Sequence, residues 1–313
     1  MKKIKVIFMG TTDFGVPALE NLVSGGYEVI AAICQPDRPN KRGNKVELLP
    51  LKAKALELGM TVLQPEKINE PQFIEQLKSF EADIFIVAAY GQILSKEILA
   101  IPPFGALNIH GSLLPQYRGA APIQRAIIDG KAKTGVTIMQ MGEGMDTGDM
   151  LSKAEYPIIG TTTFRSLYRD LSVLGGSILI ETLEKLLEGS LKAVSQNDAL
   201  ATYAQKILKD TGHINWGKTS REIQFLINGT DPSPGAYIIY RDEKIKCFLP
   251  EIIDWEGQES PGTIITANDR DGLVIKTQDG AVKIGSVQAP GKKRMDTTVF
   301  LRGKKLEIGT TLN

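Results

Sequence analysis

Apolar runs and amphipathic stretches alternate regularly along the first half of the chain. The short apolar runs predict strands over residues 4–9, 28–34, 62–63, 84–88, 106–110 and 135–141. The stretches between them have helical spacing and predict helices over residues 16–24, 50–58, 71–79 and 122–129. Fully apolar strands separated by helices are typical of a parallel sheet that is covered on both faces. The first half therefore predicts an α/β fold with a doubly wound, Rossmann-like, mostly parallel sheet.

A long helical stretch and a weakly patterned segment follow this alternation. Residues 163–188 predict one helix rich in Leu and Ile, with a break at Gly175 and Gly176 as the alternative. Residues 190–206 lack strong periodicity and are interpreted as a linker. We therefore expect a first domain over residues 1–189, the linker over 190–206, and a second domain over 207–313.

The final part of the chain has the pattern of a small β-barrel. Thr219 and Glu222 have the spacing of a capping box, which predicts a helix that continues through Ile227. Turn residues then separate short strands, which we predict over residues 236–240, 244–248, 263–266, 273–277 and 281–287. Short strands with turns between them favour a smaller, OB-like β-barrel domain after the α/β domain.

Composition and charge narrow the range of partners. With 313 residues, of which 42% are hydrophobic and 23% charged, the chain has the composition of a globular protein. A net charge of +1 gives no overall attraction to nucleic acid, so a polyanionic partner would have to be held by local basic patches. No apolar stretch of about 18 residues occurs, which argues against a membrane span.

The two cysteines, Cys34 and Cys247, lie far apart in the sequence. No Cys-x-x-Cys or Cys/His cluster accompanies them, so the sequence predicts neither a structural zinc site nor a disulfide framework. Sparse cysteines of this kind favour a reducing compartment. We therefore expect no metal cofactor and a cytoplasmic location.

The first predicted strand ends in a glycine turn, where dinucleotide-binding enzymes carry Gly-x-Gly-x-x-Gly. Here the turn is Gly-Thr-Thr-Asp-Phe-Gly over residues 10–15, so the second glycine is missing. The next strand ends in Ile-Cys-Gln-Pro over residues 33–36, without an acidic residue, and no Gly-Lys-Ser/Thr follows the turn. Because dinucleotide and P-loop sites require these residues, the turn is interpreted as structural.

The strongest candidate for chemistry is the end of the strand predicted over residues 106–110. Asn108 and His110 are two residues apart, which places both side chains on one face of that strand. They lie at its carboxyl end, where open α/β sheets bind ligands, and a Gly/Pro-rich loop follows at once. A lone histidine is more often structural, but this setting favours a catalytic imidazole. His213 has no such setting and is interpreted as structural or exposed.

A carboxylate is available in the turn after the last strand of the α/β pattern. Asp146 lies within Gly-Met-Asp-Thr-Gly-Asp over residues 144–149, a composition that also suits an ordinary turn. Asp149 is the competing carboxylate, and the sequence does not choose between the two. An amide, an imidazole and a carboxylate are the groups required for acyl transfer to an amine.

Two clusters of basic residues are candidate sites for a polyanion. The segment over residues 36–50 carries Arg38, Lys41, Arg42 and Lys45. It is interpreted either as an ordinary solvated loop or as a basic loop beside the ligand crevice that contacts phosphates. A second basic cluster lies over residues 292–305.

The motif Asn-x-His-x-Ser-Leu-Leu-Pro over residues 108–115, with Asp146 downstream of Thr-Gly-Val-Thr, resembles the folate-dependent formyltransferases. The likeness is strongest to the members of that family that formylate methionyl-tRNA. It includes Gln-Pro-Asp-Arg-Pro at 35–39, Ala-Ala-Tyr-Gly at 88–91, Arg-Gly-Ala-Ala-Pro-Ile-Gln at 118–124 and Met-Asp-Thr-Gly-Asp-Met at 145–150. The sequence departs from the family pattern at Gly142, where an acidic residue is expected, and at Ser233, where an aromatic residue is expected. It also departs at the linker end over residues 206–212, which lacks the usual acidic residue before its glycine.

The resemblance implies 10-formyltetrahydrofolate as the formyl donor and the α-amino group of methionyl initiator tRNA as the acceptor. The implied product is formylmethionyl-tRNA for translation initiation. Catalytic roles are implied for Asn108, His110 and Asp146, and Arg42 is the implied tRNA contact of greatest effect. The residues in implied binding roles are Ser112, Leu113, Leu114 and Pro115 for folate, and Lys41, Arg42, Lys45 and Lys206 for tRNA.

Two other functions share parts of this pattern. A sugar-nucleotide N-formyltransferase would use the same donor and the same catalytic residues. A non-enzymatic RNA- or folate-binding protein would carry a vestigial site, against which the intact Asn108, His110 and Asp146 argue. The basic loop and the predicted barrel favour tRNA over a sugar as the acceptor.

Overall fold

The computed structural model describes residues 3–38 and 47–312. The interpretations of Lys41, Arg42 and Lys45 lie outside the described residues and stay predictions. The chain separates into two compact units. The first consists of Met1–Gly119, Thr134–Tyr156 and Tyr168–Ala204, and the second of Ala120–Lys133, Pro157–Leu167 and Gln205–Asn313. The domain boundaries predicted at residues 189 and 206 stay predictions.

Strands and helices alternate along the first two thirds of the chain. The strands are β1 (Lys5–Gly10), β2 (Glu28–Ile33), β3 (Val62–Leu63), β4 (Ile84–Ala88), β5 (Ala106–His110), β6 (Arg118–Gly119), β7 (Lys133–Gln140), β8 (Met150–Pro157) and β9 (Tyr203–Ala204). The helices are α1 (Val16–Ser24), α2 (Pro50–Glu57), α3 (Pro71–Ser79), α4 (Lys96–Leu99), α5 (Pro122–Ile128) and α6 (Phe164–Leu187). No helix in the described part of the chain is long and apolar enough to cross a membrane.

One sheet dominates the first unit, with the strand order β3-β2-β1-β4-β5-β7-β8. Parallel pairing joins β3, β2, β1, β4 and β5, and β7 pairs with β5 in the antiparallel sense. The strand order reverses between β1 and β4, which defines the ligand crevice of a doubly wound sheet at the carboxyl ends of its strands. The predicted doubly wound, mostly parallel sheet is confirmed. The sequence analysis does not predict β8, because its alternating, largely polar pattern leaves only Met150 buried.

Helix α6 runs without interruption through Gly175 and Gly176, so the alternative of a break there is wrong. Both glycines are required by close packing rather than by a bend. A Cβ atom on Gly175 would come within 2.7 Å of the Ile109 side chain, and one on Gly176 within 3.0 Å of the backbone of Ala18. The side of the helix that carries these glycines therefore approaches the sheet and α1 more closely than any larger residue allows.

The segment interpreted as a linker makes specific contacts within the first unit. Val194 forms a β-bridge with Met150, and β9 pairs in parallel with β6. These pairings are too short to give the sequence a strand or helix period, which explains why the pattern indicates no structure here.

The second unit contains an antiparallel sheet that curls into a half-barrel, which confirms the predicted OB-like class. Its elements are α7 (Ser220–Thr230), β10 (Ala236–Tyr240), β11 (Glu243–Ile253), β12 (Ile264–Asn268), β13 (Gly272–Lys276), β14 (Ala281–Gln288), β15 (Met295–Asp296) and α8 (Thr297–Gly303). The strand order is β10-β11-β14-β13-β12, with β15 added to β14. Helix α7 begins with the predicted capping box, in which Thr219 and Glu222 each accept a hydrogen bond from the other's backbone N–H.

Candidate active site

Strand β5 presents Asn108 and His110 at the carboxyl edge of the sheet. Asn108 lies opposite Val87 of β4 and Met139 of β7, and His110 lies opposite Thr137. Because alternate residues of a strand point to the same face, the regular pairing on both sides places the two side chains on one face, as predicted. Pairing with β4 and β7 holds the backbone of Asn108 on both sides, and pairing with β7 holds the backbone of His110.

The His110 imidazole is buried, with 5% of the residue exposed. Its Nε2 atom lies 3.0 Å from the carbonyl oxygen of Tyr117. Because a carbonyl oxygen only accepts hydrogen bonds, Nε2 carries a proton and donates it. The other nitrogen, Nδ1, lies 3.5 Å from Oδ1 of Asp146, a longer contact. Nδ1 is therefore the ring nitrogen that is less firmly held, and it is the one available to a substrate.

The structure brings Asp146, rather than Asp149, to the imidazole. Oδ1 of Asp146 faces His110, and Oδ2 accepts a hydrogen bond of 2.8 Å from the backbone N–H of Gly119. Asp149 is exposed, and its carboxylate accepts a hydrogen bond of 2.9 Å from the hydroxyl of Ser195. The choice that the sequence left open is thus made by the turn between β7 and β8, which directs the two carboxylates to different neighbours.

The loop after β5 is held by side chains from neighbouring strands. Thr137 of β7 donates its hydroxyl hydrogen to the carbonyl of Ser112 at 2.7 Å and accepts the N–H of Leu114 at 3.1 Å. Lys153 of β8 donates to the carbonyl of Leu114 at 3.1 Å. Ser112 itself donates to the carbonyl of Gln116 at 2.6 Å. These bonds give the loop a fixed backbone before any ligand binds.

Sequence reasoning did not identify Thr137 or Lys153 as supports of the site. A signal for Thr137 is present, because it ends the Thr-Gly-Val-Thr segment over residues 134–137, in the strand that pairs with β5. No such signal exists for Lys153, because the sequence pattern does not indicate the strand β8 that carries it. Polar side chains on strands that flank a catalytic loop serve to hold its backbone.

The residues assigned to folate differ in exposure. Ser112 and Leu114 are buried, whereas Leu113 and Pro115 are half-buried. The half-buried pair is therefore the part of this loop that offers side-chain surface to a ligand. Lys206, assigned to tRNA, is exposed. These binding roles stay predictions.

Both cysteines are free and buried. Burial raises the pKa of the Cys34 thiol to about 12, and burial likewise raises the pKa of the Cys247 thiol to about 12. Within residues 3–38 and 47–312, no group of three or more His, Cys, Asp or Glu side chains is arranged to hold a metal ion.

We expect both thiols to resist alkylation by iodoacetamide at pH 8, since only roughly one thiol in ten thousand with such a pKa is ionised there. Activity should survive Cys34→Ser and Cys247→Ser, apart from a loss of stability, and it should survive exhaustive chelation. Mass spectrometry of alkylated protein with and without urea tests the first point. Rapid alkylation of the folded protein, or zinc-dependent recovery after chelation, would contradict these expectations.

Two family models match the chain. Residues 2–183 match Formyl transferase, and residues 206–305 match Formyl transferase, C-terminal domain. The methionyl-tRNA formyltransferase of Ruminiclostridium cellulolyticum is 43% identical to this chain, over 99% of each sequence. That of Alkaliphilus metalliredigens is 44% identical, over 99% of this chain and 98% of its own length.

The fold is also found in a solved structure of low sequence identity. WlaRD, a sugar 3N-formyl transferase crystallised in the presence of dTDP and 5-N-formyl-THF, superposes with a TM-score of 0.68. The match covers 94% of this chain and 100% of WlaRD, with 21% sequence identity. At that identity the likeness is one of fold alone.

Proposed function

This chain belongs to the formyl transferase family, and we propose that it transfers the formyl group of 10-formyltetrahydrofolate to the α-amino group of methionyl initiator tRNA. The product is formylmethionyl-tRNA for translation initiation, made in the cytoplasm. Relatives that match over nearly their whole length and are methionyl-tRNA formyltransferases support the acceptor. The chemistry rests on one geometric observation, the contact of His110 Nδ1 with Asp146 at the carboxyl end of the strand that carries Asn108.

Asn108 and His110 provide the hydrogen-bond donors that transfer of a formyl group requires. The donor supplies a formyl group on a folate nitrogen, and negative charge develops on the formyl oxygen when an amine attacks. The half-buried Asn108 carboxamide makes no hydrogen bond with residues 3–38 or 47–312, so its N–H groups are available. Asn108 donates a hydrogen bond to the formyl oxygen and stabilises the developing charge. His110 Nδ1 donates a second one only when both ring nitrogens carry a proton, a state that the neighbouring Asp146 carboxylate favours.

Asp146 is the general base of the proposed transfer. A carbon–nitrogen bond forms to the methionyl amine while the bond from the formyl carbon to the folate nitrogen breaks. The attacking amine therefore loses one proton, and the departing nitrogen gains one. Asp146 accepts the first proton, directly or through a water molecule, and returns it to the departing folate nitrogen, so the carboxylate ends the transfer as it began. The same carboxylate keeps His110 in the orientation that the reaction needs. The backbone N–H of Gly119 holds the second carboxylate oxygen, so the first remains directed at the imidazole.

The loop after β5 supplies a surface for folate beside these groups. Thr137 and Lys153 hold its backbone, which reduces the ordering cost of ligand binding. Leu113 and Pro115 contribute apolar surface, and the buried Ser112 contributes through the backbone shape that its hydroxyl maintains.

One assay tests this function directly. Purified protein with 10-formyltetrahydrofolate is offered methionyl initiator tRNA or an amino-sugar nucleotide, and formylated product is quantified by mass spectrometry. We expect product with the charged tRNA alone. Formylation of the sugar nucleotide alone would identify the chain as a sugar-nucleotide N-formyltransferase, and no product from either would favour a binding protein.

Arg42 is the side chain whose loss should weaken use of the tRNA most. A guanidinium binds phosphate or a base edge with two parallel hydrogen bonds, which an ammonium cannot do. We expect Arg42→Ala to weaken the use of methionyl-tRNA by about 1–3 kcal/mol, the range for one bidentate contact, and Arg42→Lys to weaken it less. Steady-state kinetics with tRNA and folate varied separately measures the effect.

The requirement for folate serves as the control for Arg42. It should stay unchanged in Arg42→Ala, because the contact proposed for Arg42 is with the tRNA and not with folate. Activity should also fall steeply with added salt, since phosphate contacts release counterions from the tRNA. A change in the folate requirement only, or no change at all, would leave the segment over residues 36–50 as a solvated loop.

A further inference from the structure

Gln196 lies next to the turn that carries Asp146, within the segment that lacks a sequence pattern. Its Nε2 atom donates to the carbonyl of Asp146 at 2.8 Å and to the carbonyl of Gly148 at 2.7 Å. Both hydrogens of one amide group are thus used on the backbone of a single turn. A side chain distant in sequence therefore fixes the backbone on both sides of Thr147.

The orientation of the Gln196 amide is set by Arg118. The guanidinium Nε of Arg118 donates to Oε1 of Gln196 at 3.0 Å, and its terminal nitrogen donates to Asp198 at 2.6 Å. Arg118 is only 2% exposed. A guanidinium group donates hydrogen bonds but cannot accept them, so the amide oxygen of Gln196 has to face Arg118. The NH₂ group of the same amide is therefore turned toward Asp146.

The backbone of Asp146 has an uncommon conformation, which these contacts stabilise. Its φ of 54° lies in the left-handed region, which few residues other than glycine adopt and which Asp adopts more readily than most. Conformations of this kind persist only where the surroundings determine them. The two hydrogen bonds from Gln196 hold the backbone, and the Gly119 N–H holds the side chain. Arg118 and Gly119 are neighbours in the chain, so one short strand, β6, anchors both attachments.

We propose that Gln196 is a positioning residue for the transfer, which holds the backbone of Asp146 so that its carboxylate reaches His110. The proposal rests on the proposed function, because Gln196 contacts neither substrate and acts only through the catalytic role proposed for Asp146. Loss of the amide frees the turn to relax from its left-handed conformation, and the His110–Asp146 contact lengthens. The expected consequence is a slower chemical step without weaker binding of folate or tRNA.

Three variants separate positioning from a general structural role. We expect Gln196→Ala to lower kcat by about tenfold to a hundredfold, the scale for a displacement of about 1 Å, with the KM for both substrates unchanged within about threefold. Gln196→Glu keeps an oxygen for Arg118 but has no N–H for the two carbonyls, so it should be at least as slow. Ser195→Ala is the matched control, because Ser195 contacts only the side chain of Asp149 in the same turn, and it should keep the wild-type kcat.

A double-mutant cycle with Asp146→Ala gives the decisive readout. If Gln196 acts through Asp146, then Gln196→Ala costs nothing further in kcat once Asp146 is alanine. An equal loss of kcat in both backgrounds, or a wild-type kcat for Gln196→Ala or Gln196→Glu, would overturn the proposal. Wild-type turnover of Asp146→Ala alone would instead overturn the proposed catalytic role of Asp146, and with it the reason for positioning.

Hydrogen–deuterium exchange tests the positioning independently of catalysis. Amides of residues 144–148 should exchange faster in Gln196→Ala and stay as in the wild type in Ser195→Ala. Unchanged exchange in Gln196→Ala would show that the turn holds its conformation unaided, and the proposal would fail even if the transferase reaction were confirmed.

Discussion

Alanine at Asn108, His110 or Asp146 should each lower the rate of formyl transfer by at least about a hundredfold, the scale for losing one oxyanion donor or one general acid–base group. In the proposed mechanism, Asn108→Ala and His110→Ala each remove a hydrogen bond to the formyl oxygen. Asp146→Ala removes the proposed proton acceptor and leaves His110 Nδ1 without its carboxylate neighbour. The measurement is single-turnover kinetics with saturating folate and methionyl-tRNA. The affinity for charged tRNA should stay nearly unchanged, since the proposed mechanism assigns all three groups to the formyl group and none to the tRNA.

Asp149→Ala is the matched control for these variants. It removes a carboxylate from the same turn, but this carboxylate contacts the Ser195 hydroxyl and not the imidazole. Its rate should stay within about twofold of the wild type, since an exposed contact of this kind contributes little. Because His110 is buried, thermal unfolding of each variant separates loss of chemistry from loss of fold. A His110→Ala protein that is folded and turns over normally would refute the mechanism.

Sequence was sufficient to locate the strand that carries the candidate site. The fully apolar run of β4, the spacing of Asn108 and His110, and the loop after β5 are local features, and local features determine which strands lie inside a sheet and which side chains share a face. The doubly wound order then follows from short connections between strands and helices. The structure confirms this architecture, including the carboxyl-edge position of His110.

The choice between Asp146 and Asp149 and the role of Gln196 could not be predicted in the same way. Both depend on contacts between positions that are distant in sequence, such as the bonds from Gln196 to Asp146 and from Gly119 to Asp146. A single sequence records no trace of such pairs, and a segment held by isolated bridges has no period to detect. The sequence does not predict strand β8 for a related reason, since a strand with mostly polar residues has the pattern of a loop.

Two glycines of the same turn should respond oppositely to alanine. A Cβ atom on Gly148 would overlap the carbonyl oxygen of Gln140 and lie 2.9 Å from its carbonyl carbon. Both groups are backbone at the end of β7, so the turn itself has to move. A Cβ atom on the exposed Gly142, by contrast, meets nothing within 4 Å. Gly148 is therefore required for the close approach of the two ends of the turn, whereas Gly142 is not.

We expect Gly148→Ala to lower kcat by at least about a hundredfold, because a shift of about 1 Å in a catalytic group has an effect of that size. It should also lower the free energy of unfolding by about 1–3 kcal/mol, the usual cost of forcing an extra methyl group into packed structure. Gly142→Ala should keep the wild-type kcat and stability within about 0.5 kcal/mol, as is usual for an exposed substitution. Steady-state kinetics and thermal unfolding of the two variants, prepared in parallel, provide the comparison. Equal activity of Gly148→Ala and Gly142→Ala would mean that the turn tolerates displacement, and the placement of Asp146 would then not depend on the tight turn that carries it.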